Sequence, residues 1–285
     1  MAFDVRTRLG KIVFDRVAGA EGPDRHERIH NAAGQRWFAD DRPIRMVHAD
    51  SSMFIGGLRA LLLQSLHPLA MAGVAGHSGY RGDPWGRLQR TSYFLAVTTF
   101  GLASDAEAAV ARVKSVHERV RGTAPDGRAY SAADPHLLRW VHLAEVDSFL
   151  TTFQRYGAAP LDADGRDGYV ADTARVAQAL GIADPPQSET ELYEQLESYR
   201  PELRGTAQAR SAARFLLLQP PLPAIARPPY AVLAAASVAS LPAWARWPLR
   251  LPYLPLAEAT VVSAAGIGIV RILRWITAPV PQSAT

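Results

Sequence analysis

The 285-residue chain carries 31 Lys and Arg against 27 Asp and Glu, a formal net charge of +4, with 48% hydrophobic residues and no cysteine. Such a composition supports a sizeable apolar core in one large or two small domains. The missing thiols exclude disulfides, Cys-ligated zinc, iron–sulfur clusters, thiolate-ligated haem and covalently attached c-type haem. Any metal or cofactor must therefore be held by His, carboxylate, Tyr, Met or Lys. Positive charge is almost all Arg, since Lys11 and Lys114 are the only lysines. It is interleaved with acids and forms no basic, aromatic-rich run, so nothing reads as a nucleic-acid footprint. The start MAFDVRTRLGKIVFDRV has early acids and no apolar run long enough for a signal peptide, which points to a cytoplasmic location.

Val5, Leu9, Ile12, Val13 and Val17 recur at helical spacing before Gly19, predicting a short amphipathic helix over 1–20. Residues 21–45 are polar and turn-rich and read as a loop or wrapping segment. From Asp50 or Ser51 an apolar helix runs through MFIGGLRALLLQSLHPLAMAG, with Pro68 ending or kinking it after Leu66. Its interruption by Arg59, Gln64, His67 and Pro68 marks it as buried core rather than a membrane span. A Gly-rich turn region at 76–87 leads to a helix over 87–101, and another is expected over 104–122. Asp134 caps a helix with Pro135 at its first position, ending at Gly157. Further helices are expected near 166–180, 188–200, 206–217 and 257–276, the last of which carries Glu258 and Arg271 in a Gly- and Ala-rich sequence suited to close packing. The tail 280–285 is expected to be disordered. No strand alternation is evident. The expectation is an all-α chain, one globular domain of about ten helices over 1–285.

The segment SDAEAAVARVKSVHERVRG (104–122) is the most informative. Asp105 and Glu107 open it, Arg119 and Arg121 close it, and Gly122 follows, so both ends complement the helix dipole. Val110, Val113, His117 and Val120 share one face, which aims His117 inward. That placement suits either a buried neutral histidine with both nitrogens hydrogen-bonded, or a metal or haem ligand, which also needs a neutral, oriented ring. On the next helix His142 and Glu145 form an H-x-x-E pair on one face, with Asp147 able to orient a histidine or an arginine. The order is the reverse of the E-x-x-H of di-iron bundles, and no matching second pair stands elsewhere. His67 sits where the helix should bend, and His77 lies beyond it. His26, His30, His48 and His136 stand in polar or capping contexts and read as solvated. G-x-S-x-G, H-E-x-x-H, P-loop and dinucleotide fingerprints are missing.

The ordered series GGLRALLLQSLHPLAMAGVAGHS, DPWGRLQRTSYFLAVTTFG, VHERVRG, DPHLLRWVHLAEVDSFL and FQRYG resembles the oxygenase MpaB-like family. This family, formerly DUF2236, includes the latex-clearing proteins, and the likeness covers about residues 35–250. It implies a helical fold around a haem b pocket, with non-covalent haem b, its iron and dioxygen as reactants. Characterised members cleave carbon–carbon double bonds of isoprenoid chains. Residue by residue, the proximal haem ligand falls on His117, and the family's Arg and Thr fall on Arg87 and Thr91 of RLQRT. Where the latex-clearing branch has a lysine that approaches the distal iron face, this chain has Arg90, which stays protonated and is a poor iron ligand. The resemblance then leaves an open or water-ligated distal site, or His67, Met71 or His77 as a different distal residue, with His67 or His77 able to hydrogen-bond bound oxygen.

These observations set the expectations: a cytoplasmic haem-dependent oxygenase acting on a hydrophobic, isoprenoid or lipid-like small molecule, with an external electron donor and peripheral membrane contact as accompanying features. His67, His77 and Arg90 are the candidate catalytic residues. His117, Arg87, Thr91, Arg121 and His142 are the candidate cofactor-binding residues, with His117 the metal ligand. The competing readings are a non-catalytic haem or lipid carrier and a non-haem metal enzyme built on His142, Glu145 and Asp147.

Overall fold

A computed structural model describes residues 2–77 and 81–278. The expected tail at 280–285 lies outside them. The described residues form α1 (Ala2–Ala18), α2 (Gly22–Asn31), α3 (Pro43–Ala49), α4 (Met53–Gln64), α5 (Pro68–His77), α6 (Pro84–Phe100) and α7 (Ala103–Arg119). A small antiparallel hairpin, β1 (Arg121–Thr123) and β2 (Ala129–Ser131), then precedes α8 (Pro135–Tyr156), α9 (Ala163–Leu180) and α10 (Glu189–Ser198). A 3-10 turn at Arg200–Glu202 leads to α11 (Ala207–Leu218), α12 (Arg227–Ser240) and α13 (Ala243–Leu249). The chain ends in α14 (Pro255–Thr277), which contains a π turn at Glu258–Val262. The protein is all-α, as expected.

The helix starts follow local chemistry. Asp83, Asp134, Asp162, Ser188 and Thr206 each accept a hydrogen bond from a backbone N–H of the first turn they precede, satisfying donors that a helix leaves orphaned. Pro84 and Pro135 follow two of these caps, where a missing N–H is harmless. Pro68 breaks the apolar tract as expected: α4 stops at Gln64, α5 begins at Pro68, and the two are bent by 109°.

Three expectations change. Residues 21–45 hold α2 and the start of α3 rather than only loop, because Ile29 and Gly22 bury against the body while charged neighbours stay wet. The 104–122 helix stops at Arg119, and Arg121 and Gly122 pair with Ser131 and Tyr130 as a strand. Gly122 is required there by close approach, since a Cβ would stand 2.5 Å from the Tyr130 hydroxyl. The chain thus does contain strands, too short for alternation to register.

The core centres on the crossing of α4 and α8. Leu62, Leu63, Trp140 and Leu143 are fully buried there, and burying each such side chain contributes about 1.5–3 kcal/mol. Gly56 permits the crossing: a Cβ would meet Phe149 and Thr152, both at 2.7 Å. Inside the contact Arg59 pairs with Asp147 and also reaches Ser148 and the Ser240 carbonyl, holding α4, α8 and α12 in one register. α7 packs on α6 and α9, and α3 on α9.

α14 has a mean hydropathy of 1.7 and is long and apolar enough to cross a membrane. It is tied to the body through Arg274 to Asp50 and Arg246 to Glu258, with Val270 buried. The expected close packing holds for one face only, and Val261, Ile272 and Trp275 remain exposed.

Candidate functional site

His117 lies in the last turn of α7, on the face that carries the buried Val110. The ring is half-buried, and burial lowers its pKa below the ordinary value, so it stays neutral. No hydrogen bond, ion pair or ring contact joins its side chain to another described residue. Its ring nitrogens are not among the fully buried, unpartnered atoms, so they are open to solvent or to a bound group.

α8 offers a second such group. Its inner residues Leu137, Trp140, Leu143, Ala144 and Asp147 are fully packed, whereas Leu138, Val141, His142 and Glu145 keep some accessible surface. His142 Nε2 is buried without a hydrogen-bond partner. Burial pushes the His142 imidazole down to about 4 and the Glu145 carboxyl up to about 7. Both groups are thus desolvated although each residue keeps some accessible surface.

The other expected residues are more engaged. Arg90 is exposed and pairs with Asp83 at 3.2 Å. Thr91 is exposed and donates to the Arg87 carbonyl at 3.0 Å, and Arg87 itself is half-buried near the start of α6. Arg121 stands in β1 and donates to the Glu118 carbonyl. His77 is exposed, bonds to the Arg121 carbonyl at 3.1 Å and sits edge-on to Tyr130. The proximity of His77, Arg121 and Tyr130 ties the end of α5 to the hairpin that follows His117.

His67 is buried at the α4–α5 bend, as its position implied, and faces residues that the sequence did not connect to it. Its Nε2 lies 3.3 Å from Glu202, whose carboxylate also takes His136 Nε2 at 2.9 Å. Burial lowers the His67 pKa against the opposing pull of Glu202. Burial pulls Glu202 upward, but the hydrogen bonds and charge of His136 and His67 outweigh it and hold the carboxyl below its ordinary value. His48, expected to be solvated, is instead desolvated to a pKa of about 3 and bonds to Thr99 at 2.8 Å and Tyr169 at 3.3 Å. No local signal marks His48 or Glu202, because their partners come from distant helices. The surface depressions at Asp24–Ala32 and around Leu150, Arg166 and Tyr193 include none of these histidines.

Residues 45–276 match the family model described as ER-bound oxygenase mpaB/B'/Rubber oxygenase, catalytic domain. The chain belongs to this family. It is also similar to Uncharacterized protein Mb2261 of Mycobacterium bovis and Uncharacterized protein Rv2237 of Mycobacterium tuberculosis. Each is 31% identical over 102 residues, which is 35% of this chain and 39% of the relative, so the likeness spans about two fifths of those proteins. No solved structure matches.

The family is described as an oxygenase catalytic domain, and a metal or haem cofactor is compatible with that description. The donor set fits a non-covalent haem. There is no thiolate to compete, His117 is neutral with nothing bonded to its ring, and the buried His142 Nε2 has no protein partner.

Proposed function

We propose that this family member is a haem b-dependent oxygenase that uses dioxygen on a hydrophobic, isoprenoid or lipid-like small molecule. The observation that carries the reading is His117, a half-buried, neutral imidazole with no hydrogen-bond partner, at the position where the resemblance puts the proximal ligand. Haem, when bound, supplies the one-electron and dioxygen chemistry that side chains lack. An external electron donor balances a reaction that places one oxygen atom in the product, whereas cleavage that inserts both atoms balances without one.

The chain's own residues have separable tasks. His117 holds the group through one ring nitrogen, and Val110 and Val113 lie on the same helix face. Arg87 and Arg121 supply guanidinium partners for propionates, and Thr91, bonded to the Arg87 carbonyl, steadies that turn of α6. On this reading the side of α8 that carries His142 and Glu145 walls the substrate recess, and neutral His142 offers its unpartnered Nε2 to a polar atom there. Glu145 titrates near neutrality, so its carboxyl oxygens can hold or release a proton at working pH. His67, His77 and Arg90 already have partners, so the polar work in the recess falls to His142 and Glu145. The exposed apolar stripe of α14 suits peripheral contact with the lipid phase in which such substrates collect.

The test is an absorption spectrum of protein produced with added haem precursor. A Soret band is expected, lost in His117→Ala, with dioxygen uptake when substrate and reductant are present. A colourless protein, or a band unchanged in His117→Ala, would overturn the reading.

A further inference from the structure

The cluster of His67, His136 and Glu202 is separate from the residues assigned to haem. We infer that it is a divalent transition-metal site of the zinc class, with one ligand atom from each of the three side chains.

The geometry brings three ligand atoms together. One ring nitrogen from each histidine and a Glu202 oxygen all lie within 4.8 Å of one another. His136 Nε2 stands 2.9 Å from both carboxylate oxygens, and His67 Nε2 stands 3.3 Å from one of them. Zinc–nitrogen and zinc–oxygen bonds of about 2.0–2.2 Å at tetrahedral angles separate ligand atoms by about 3.3 Å. His67 Nε2 already stands at that separation from Glu202, and His136 Nε2 would move outward by about 0.4 Å.

Hydrogen bonding around the cluster points the same way. The Tyr199 hydroxyl donates its only proton to the His136 carbonyl at 2.9 Å. Toward His136 Nδ1, 3.3 Å away, it can only accept. That contact places a proton on Nδ1 and directs the Nε2 lone pair at Glu202. Two acceptors would then face each other at 2.9 Å, unless a proton or a cation lies between them. Buried His67 is poorly satisfied: its contacts, 3.3 Å to Glu202 and 3.4 Å from the Ala70 N–H, are both longer than a good N–H hydrogen bond. Arg128, whose charge acts on His67 and Glu202, is turned to Asp126.

The frame is also built. His67 is fixed at the α4–α5 bend and Glu202 in the 3-10 turn after α10, and the Arg204 N–H donates to the Leu66 carbonyl at 2.8 Å to staple those segments together. Tyr199 stacks on His136 with ring centroids 4.6 Å apart. His136 and Glu202 are half-exposed, so water can reach a fourth position, the arrangement of three protein ligands with one open site. Imidazole donors select zinc-class ions over calcium and magnesium, which prefer oxygen. On binding, the metal takes the place of a proton on each Nε2. Any proton displaced goes to solvent, and neutral His67 moves its ring proton from Nε2 to Nδ1, giving up the long contact from the Ala70 N–H.

The test uses the full chain loaded with haem and then titrated with Zn2+, with metal content measured after gel filtration and Co2+ as a spectroscopic substitute. One zinc per chain is expected, with visible d–d absorption of four-coordinate cobalt. His136→Ala and Glu202→Gln, both at half-exposed positions, should each weaken binding at least about tenfold while far-UV dichroism and the Soret band stay as in the parent. Tyr199→Phe should weaken binding by about 10–100-fold through loss of the orienting contact. Zinc content no higher than a blank, or equal in parent and variants, would overturn the site whatever the Soret band shows.

Discussion

Arg59 and Asp147 meet at 2.6 Å in the interior, where their side chains keep 3% and 7% of their accessible surface. The pair joins the two central helices, α4 and α8, and sets the register that places His142 and Glu145 on the opposite side of α8. Removing one partner leaves a buried charge, which costs about 3–5 kcal/mol. Asp147→Ala should lower unfolding free energy by that amount in urea titrations. The double variant Arg59→Met, Asp147→Leu should recover most of it, because two apolar side chains leave no orphaned charge. A loss below about 1 kcal/mol in Asp147→Ala would show that the pair is not what holds the helices.

His142 and Glu145 lie one turn apart and should give opposite pH dependences of stability. Glu145 is raised from 4.5 to about 7 on folding. The native state therefore binds more protons between those values, and this group's contribution is present below about 4.5 and lost as pH rises toward 7. His142 is lowered from 6.5 to about 4. The unfolded state binds more protons there, and stability rises with pH across 4 to 6.5. In the parent the two slopes offset each other between about 4.5 and 6.5. Glu145→Gln should expose a rising profile relative to the parent, and His142→Asn a falling one, each by up to about 3 kcal/mol across its window. Thermal unfolding from pH 4 to 8 reads both. Parallel profiles in all three proteins would mean that neither group is desolvated.

What could be read in advance was what is local. Asp134 and Pro135 announce the start of α8, Pro68 announces the α4–α5 bend, and Asp147 was expected to orient an arginine or a histidine and pairs with Arg59. These depend on neighbours in sequence or on one helix face. His48 could not be placed this way, since Thr99 and Tyr169 lie 51 and 121 residues away. The same holds for Glu202, which meets residues 66 and 135 positions earlier. The hairpin escaped because three-residue strands show no alternation, and α2 escaped because a single buried isoleucine anchors an otherwise charged helix. Arg90 illustrates the reverse limit: the resemblance fixes its place in the motif, while the fold turns it outward to Asp83.

Gly122 should be intolerant of a side chain. Its strand passes so close to Tyr130 that alanine would push the ring away, and the same ring packs over Gly73 and Gly76 of α5. Overpacking of this kind costs about 1–3 kcal/mol. Gly122→Ala should lower the melting temperature by several degrees and also weaken haem retention, because the hairpin carries Arg121 and directly follows His117. Adding Tyr130→Phe, which removes the clashing oxygen, should restore part of both. Retention equal to the parent in Gly122→Ala would separate the hairpin from the haem site.

Val261, Ile272 and Trp275 are 71%, 52% and 51% exposed. At 11 and 14 residues apart they fall on one stripe of α14. The opposite side is held down by Val270, by Gly266 against Tyr156, and by Arg274 on Asp50, so the stripe can change without disturbing the fold. Each exposed aliphatic side chain that enters lipid contributes up to about 1.5–3 kcal/mol, and about 1.4 kcal/mol is tenfold in affinity. Val261→Asp with Ile272→Asp should therefore reduce co-sedimentation with phosphatidylcholine vesicles by about tenfold or more, leaving the Soret band and melting temperature near those of the parent. If the parent does not sediment with vesicles above background, or the double variant sediments equally, the stripe is not a membrane contact, and the hydrophobic substrate must reach the recess from solution.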